Sequence, residues 1–226
     1  VIDSTFNANQ AYIGGGVSIS QTLDWLGAPQ LDACTFTFNR ASRWWDDDMA
    51  GTGGALAAFL GQYVSSEYTL VQNSLFGNNS TGSQLGGAIA SAALSEEPSL
   101  ALLNCTIADN ESGGIISDSA ASWPTVVYNS IVWGNGPYEI SPDCDEGAVV
   151  FYSDIMGGAG CEGFAGNLSS TPWFDSMDPF LPYQLLDLSP CIDAADPASA
   201  PLTDITGAYR DPNPDMGAFE FFTEED

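Results

Sequence analysis

The sequence predicts an all-β chain wound as a right-handed parallel β-helix, a solenoid of about six coils with an irregular C-terminal cap. Three observations predict it. A segment of about eleven residues recurs imperfectly from Val1 to Gly160, an Asn recurs near the end of the copies, and Gly clusters after the Asn open a second apolar run. Repeats of this period indicate a solenoid, in which each unit buries its apolar face only against its neighbours.

The clearest copy is Leu31–Ala41, LDACTFTFNRA. Others begin at Val1, Leu70, Leu102, Val127 and, in degraded form, Val150, so the steps are 30, 39, 32, 25 and 23 residues. The first position is always apolar. The sixth is too: Phe6, Phe36, Leu75, Ile107, Val132 and Ile155. The fourth is small or polar, and the fifth is mostly Thr or Ser. Alternation rich in β-branched residues reads as a short strand with one buried face. The closing Asn falls at Asn9, Asn39, Asn78, Asn110 and Asn135, with Gly158 in the last copy. Asn tolerates the left-handed backbone region and its amide can bond along a stack, so it suits a tight corner. The Gly clusters follow at Gly14–Gly16, Gly53–Gly54, Gly86–Gly87 and Gly113–Gly114. A β-sandwich would not repeat Asn and Gly in phase. A coil of 23–25 residues suits three short strands, and longer coils carry loops. The expected organisation is coils over 1–170, a capping segment over 171–221 and an acidic tail over 222–226.

The coils, with Asn and then GGG or GGA, resemble those of bacterial surface β-helix proteins of the polymorphic outer-membrane type. Towards the C-terminus, GNLSSTPWF (Gly166–Phe174), YQLLDLSPCIDAADP (Tyr183–Pro197) and TDITGAYRDPNPDMGAFEF (Thr203–Phe221) are similar to the end of secreted β-helix proteins of the choice-of-anchor Q kind. The resemblance implies a β-helix and an extracellular or cell-surface location. It implies no particular activity, because a fold hosts many functions.

Charge narrows the partners. The chain carries 30 acidic residues against three Arg, with no His, for a net charge of −27. Such a field repels nucleic acid and anionic membrane surfaces. No stretch reads as a membrane span. Divalent cations would be attracted. No cofactor is required by the sequence, and Ca²⁺ is the ion the charge invites.

Five Cys divide by position. Cys34 and Cys105 share a column two coils apart, with Asn73 between them. That distance is about 9–10 Å, too far for a disulfide, so both read as buried thiols. Cys144 and Cys161 flank one coil and are the best disulfide pair, which fits an oxidising compartment. Cys191 is then left over, with its exchange for Cys161 in that pair left open.

Three places are candidate functional sites. The insertion after Asn39 holds Trp44 and Trp45 beside Asp46, Asp47 and Asp48. The Trp pair could stack on sugars and the carboxylates could hold Ca²⁺, which prefers clustered oxygens. The blander reading is a Trp pair covering the coil's side beside a solvated Asp run. The first coil, with Val1, Ile2 and Phe6, has no polar cap and presents a self-assembly edge. The chain opens there in mid-pattern, which reads as a processed or truncated end. In the capping segment, Arg210 is expected to pair with Asp193, Asp204 or Asp215.

The missing residue types exclude much chemistry. Without His there is no Ser-His-Asp apparatus, and without Lys no Schiff base or P-loop. A two-carboxylate glycosidase stays chemically open, with no pair selected. The sequence therefore favours a structural or adhesive extracellular protein that joins head to tail with itself into a filament. The alternative is a glycan-binding or glycan-cleaving module using the Trp44–Asp48 loop, with surface glycans as partners.

Overall fold

A computed structural model of the chain describes residues 1–21, 28–42, 52–60, 68–82, 87–93, 100–117, 125–144, 148–158, 161, 165–175 and 182–223. Over these residues the protein is all-β, a parallel β-solenoid with no helix.

The strands form four sheets, visited repeatedly in one order. A five-stranded leading sheet contains Gln30–Asp32, Thr69–Gln72, Leu100–Leu103, Thr125–Tyr128 and Ala148–Phe151. A six-stranded central sheet follows: Thr5–Asn7, Thr35–Thr37, Leu75–Gly77, Thr106–Ala108, Ile131–Trp133 and Asp154–Ile155. A short sheet holds Gln10–Ala11, Arg40–Ala41 and Ser80–Thr81. A trailing sheet holds Val17–Gln21, Leu56–Leu60, Ile89–Ala93, Ile115–Ser117 and Ile140–Ser141.

Strand alternation turns three axial rows inward. They are Leu31, Val71, Leu102, Val127 and Val150 in the leading sheet. The central sheet contributes Phe6, Phe36, Phe76, Ile107, Val132 and Ile155. The trailing sheet contributes Val17, Leu56, Ile89, Ile115 and Ile140. These rows meet in one continuous core. Full burial of side chains this size contributes about 1.5–3 kcal/mol each, so stacking is the main source of cohesion.

The third copy corrects the predicted register by one residue. Phe76, not Leu75, lies between Phe36 and Ile107, and Val71 rather than Leu70 lies beside Leu31. Leu75 turns to the outer face. Leu70-Val71 and Leu75-Phe76 are adjacent apolar pairs, so hydrophobic pattern alone allowed either phase. A one-residue slip exchanges the faces of a strand. Here the stacking of Phe76 on Phe36 and the amide bonding of Asn79 select the phase.

The corners also differ in detail from expectation. The left-handed residues are Ala8, Phe38, Asn78, Asp109 and Gly134, so of the predicted corner Asn only Asn78 is left-handed and the others follow a left-handed neighbour. A second left-handed column precedes the central sheet at Asp3, Ala33, Asn73, Asn104, Asn129 and Tyr152. On the far side, Gly15, Gly54 and Gly87 stack directly. A Cβ on any of them would overlap the backbone carbonyl of the next, at Gly54, Gly87 and Gly113 respectively.

The two ends of the core are unlike. At the C-terminal end Cys144 and Cys161 form a disulfide, with Cα atoms 5.2 Å apart, and both belong to the core. Leu168 adds a bridge to Asp154, and Cys144 one to Ala148. At the N-terminal end Phe6, Val17 and Ile19 are only partly buried.

The C-terminal segment was expected over the end of the stack, and its contacts lie elsewhere. Tyr183, Ala218 and Phe219 pack on Leu75 and Ala108. Leu185, Cys191, Ala195 and Met216 pack with Ile131. The segment therefore covers the outer face of the central sheet. Leu168 joins that outer cluster, while the disulfide packs into the core.

Candidate functional site

Two features organise the surfaces: a buried amide ladder that runs the length of the stack, and the polar seam under the C-terminal segment. The ladder is made of Asn9, Asn39, Asn79, Asn110 and Asn135. Each of the first four donates its backbone N–H and its side-chain amide to the Oδ1 of the next, over 2.7–3.1 Å. The second amide proton goes back to a strand carbonyl: Asn39 to Phe6, Asn79 to Phe36, Asn110 to Phe76 and Asn135 to Ile107. Asn79, not the predicted Asn78, is the third rung.

The ladder ends on Glu139. Gly158 stands where the next Asn would be, and the Glu139 carboxylate takes its place, accepting the Asn135 N–H at 3.0 Å and its side-chain amide at 2.6 Å. Burial pushes the Glu139 carboxyl up to about 7, against the opposing pull of the Asn135 bonds. At the other end Asn9 is exposed and donates both its N–H and its side-chain amide to Asn39.

A second ladder uses the fourth column. Cys34 donates its N–H to Ser74, Cys105 to Ser130, and Ser130 to Ser153. Ser74 therefore lies between the two thiols, where Asn73 was expected. Burial raises both thiols, Cys105 to about 12. Such thiols are inert core residues rather than nucleophiles.

The polar seam is centred on Arg210. The predicted partners Asp193, Asp204 and Asp215 are corrected: the ion pair is with Glu220, at 2.8 Å, and both side chains are almost completely buried. Asp215 meets the guanidinium only through its backbone carbonyl, at 3.4 Å. Its carboxylate instead accepts the N–H groups of Asp193 and Phe221. Asp204 is taken up by a local turn, accepting the N–H groups of Thr206, Ala208 and Glu220. Arg210 also donates to Asn73 and to the carbonyls of Gly217 and Ala218. Burial raises Asp215 to about 7 and raises Glu220 as well.

The docking residues that sequence reasoning missed are Asn73, Asn104 and Asn129, the left-handed column. Asn104 donates to the Asp215 carbonyl, and Asn129 donates to Asp196 O while accepting its N–H. Their signal was available as three Asn at the third position of successive copies. Those copies must be aligned on Val71 for the signal to appear.

Val1 and Ile2 are exposed and Phe6 is half-buried, with its ring stacked on Phe36 at 4.7 Å. Val1 bonds the carbonyl of Gln30 through its amino group, and Ile2 bridges Asp32. The strands Thr5–Asn7 and Val17–Gln21 have a paired strand on one side only among the described residues. Trp44, Trp45, Asp46, Asp47 and Asp48 lie outside the described residues. Among the described residues no group of three or more acidic or sulfur ligands could hold a metal, and no helix is long and apolar enough to cross a membrane. The Asn-X-Ser/Thr sites at Asn79, Asn104 and Asn110 are buried in hydrogen bonds, which leaves them closed to glycosylation.

A groove marks the boundary between the bare and covered parts of the central sheet. Thr5 and Thr35 form one wall and Pro182, Ile205 and Phe219 the other. Among the described residues that line it, Asp3 is the one carboxylate, so they offer no facing pair of the kind that hydrolyses glycosides.

Compared with known proteins, the chain matches no family model, no curated protein and no solved structure.

Proposed function

We propose that the protein is an extracellular structural or adhesive surface protein, a right-handed parallel β-helix of six coils that assembles end to end through its N-terminal coil. The right hand follows from the rule for parallel crossovers. The observation that carries the reading is the stack itself, in which the apolar rows, the amide ladder and the Gly column of one coil are completed by the same groups of the next. Among the described residues Phe6, Val17 and Ile19 of the first coil are partly buried, and the strands Thr5–Asn7 and Val17–Gln21 are paired on one side. Strand addition to such an edge supplies backbone hydrogen bonds, and apolar rings supply the contact. The disulfide and the resemblance of the coils to secreted surface proteins support the extracellular location. The net charge of −27 opposes contact between copies, and Ca²⁺ between acidic faces would relieve it.

Head-to-tail joining gives filaments. The closed C-terminal end favours a second reading, a two-fold pair through the same N-terminal surface. Sedimentation velocity and electron microscopy of the native material, with and without Ca²⁺, separate the two by mass. Particles of one chain's mass under both conditions would end both readings. Phe6→Asp is expected to abolish any assembly that forms, while leaving the core below Phe36 folded.

A further inference from the structure

The covered face of the central sheet buries four carboxyl groups: Asp154 from its last strand, and Asp204, Asp215 and Glu220 from the C-terminal segment. Only one guanidinium, Arg210, is buried with them among the described residues, and its ion pair is with Glu220. The charges do not balance, so the seam is sensitive to protons. The four acids are not equally placed. Asp204 has the donors of its turn, and Glu220 has Arg210 together with the N–H groups of Asp211 and Asp215. Asp215 has two backbone N–H donors and lies near Arg210.

Asp154 has the least. It is completely buried, accepts one N–H from Ser170 at 3.0 Å, and meets the thiol of Cys191 at 3.2 Å. Cys191 belongs to the apolar cluster of Ile131, Leu185, Ala195 and Met216, which seals the site from water. A carboxylate buried without a cation is strongly disfavoured and takes up a proton instead.

We propose that the C-terminal segment is a pH-gated cover, docked while Asp154 carries a proton and released from the last strands of the central sheet when Asp154 ionises. The ionisable group facing Asp154 from the segment is Cys191, with Asp215 acting on that thiol from behind. Neither is cationic. On the solenoid side the polar partner is the Ser170 N–H. Burial raises the Asp154 carboxyl, opposed by the Ser170 and Cys191 bonds. The docked value thus lies above that of the free group, about 3.9. Docking is strongest below that free value and is lost as pH rises through the docked one. Release uncovers Ile131 on the sheet and Leu185 and Met216 on the segment.

Hydrogen exchange on the intact chain between pH 4 and 9, corrected for intrinsic rates, tests this. The amides of Ala195, bonded to Pro214, and Met216, bonded to Cys191, report on the segment. Asn39 and Asn79, farther from Glu139 along the ladder, report on the solenoid. Between the free value and the docked one, protection of the segment should fall by up to about tenfold per pH unit and then level off, while the ladder amides hold. Asp154→Asn, neutral at every pH, should flatten that dependence. Equal slopes in the variant and the parent, or a segment whose protection ignores pH, would overturn the proposal. A carboxyl carbon NMR titration of the unaltered protein decides without any variant: Asp154 titrating at the ordinary value would also overturn it.

Discussion

Phe36 lies face to face with Phe76, their ring centroids 4.7 Å apart and their planes within 2°. The two residues are 40 positions apart in sequence and one strand apart in space. Their contact sets the phase of the third copy, since the alternative would bring Leu75 inward and turn Phe76 out. Phe76→Ala is expected to cost about 3–5 kcal/mol, as for other buried rings. A double-mutant cycle with Phe36→Ala should show coupling of about 0.5–1.5 kcal/mol. Denaturant unfolding of the four proteins measures it, and zero coupling would put the register in doubt.

The amide ladder predicts a contrast between neighbours. Asn79→Ala leaves the N–H and amide of Asn39 without their acceptor inside the core. At about 1–3 kcal/mol for each unsatisfied group, this change should cost at least ~2 kcal/mol. Asn78→Ala removes only a partly exposed bond to the Tyr183 hydroxyl. It should cost about 1 kcal/mol, and thermal or denaturant melting should rank the pair in this order.

Glu139 predicts a pH dependence at the C-terminal end of the ladder. Its folded value of about 7 lies above the ordinary Glu value of about 4.3. The protonated form is therefore favoured by folding, so its contribution is fully present below about pH 4.3 and fades as pH rises through 7. The loss should be on the order of 1–2 kcal/mol after allowance for solvent screening. Glu139→Gln should melt with less pH dependence between pH 4 and 8. An unchanged profile would mean that other carboxyl groups control this range.

Arg210 predicts a large effect far from the core. Arg210→Met leaves Glu220 buried without its cation, a change that typically costs about 3–5 kcal/mol. Adding Glu220→Gln should recover part of the loss by removing the stranded charge. Segment amides such as Met216 should lose protection in the single variant more than the ladder amides do.

Much of this architecture was legible from pattern. Phe6, Phe36 and Ile107 fall in one axial row as read from the sequence, because inward residues at a constant strand position have to repeat. The slip at Leu75-Phe76 arose because two adjacent apolar residues carry no phase information. Pattern also missed Glu220, since one acid among thirty has no local signal for pairing with Arg210. The third-column Asn residues escaped for a related reason. Asn104 and Asn129 meet backbone groups 111 and 67 residues later, and Asn73 meets the Arg210 guanidinium 137 residues later, so nothing near them in sequence marks the partner.

The sequence by itself determined that the chain stacks in parallel coils, since its apolar, Asn and Gly columns satisfy their contacts only against copies of themselves. Tertiary structure alone decided where the C-terminal segment lies and which acid meets Arg210. Those contacts join unlike parts of the chain, and no repeat constrains them. They depend on which outward residues of the central sheet, from Leu75 to Asp154, offer an apolar surface and free polar groups to cover.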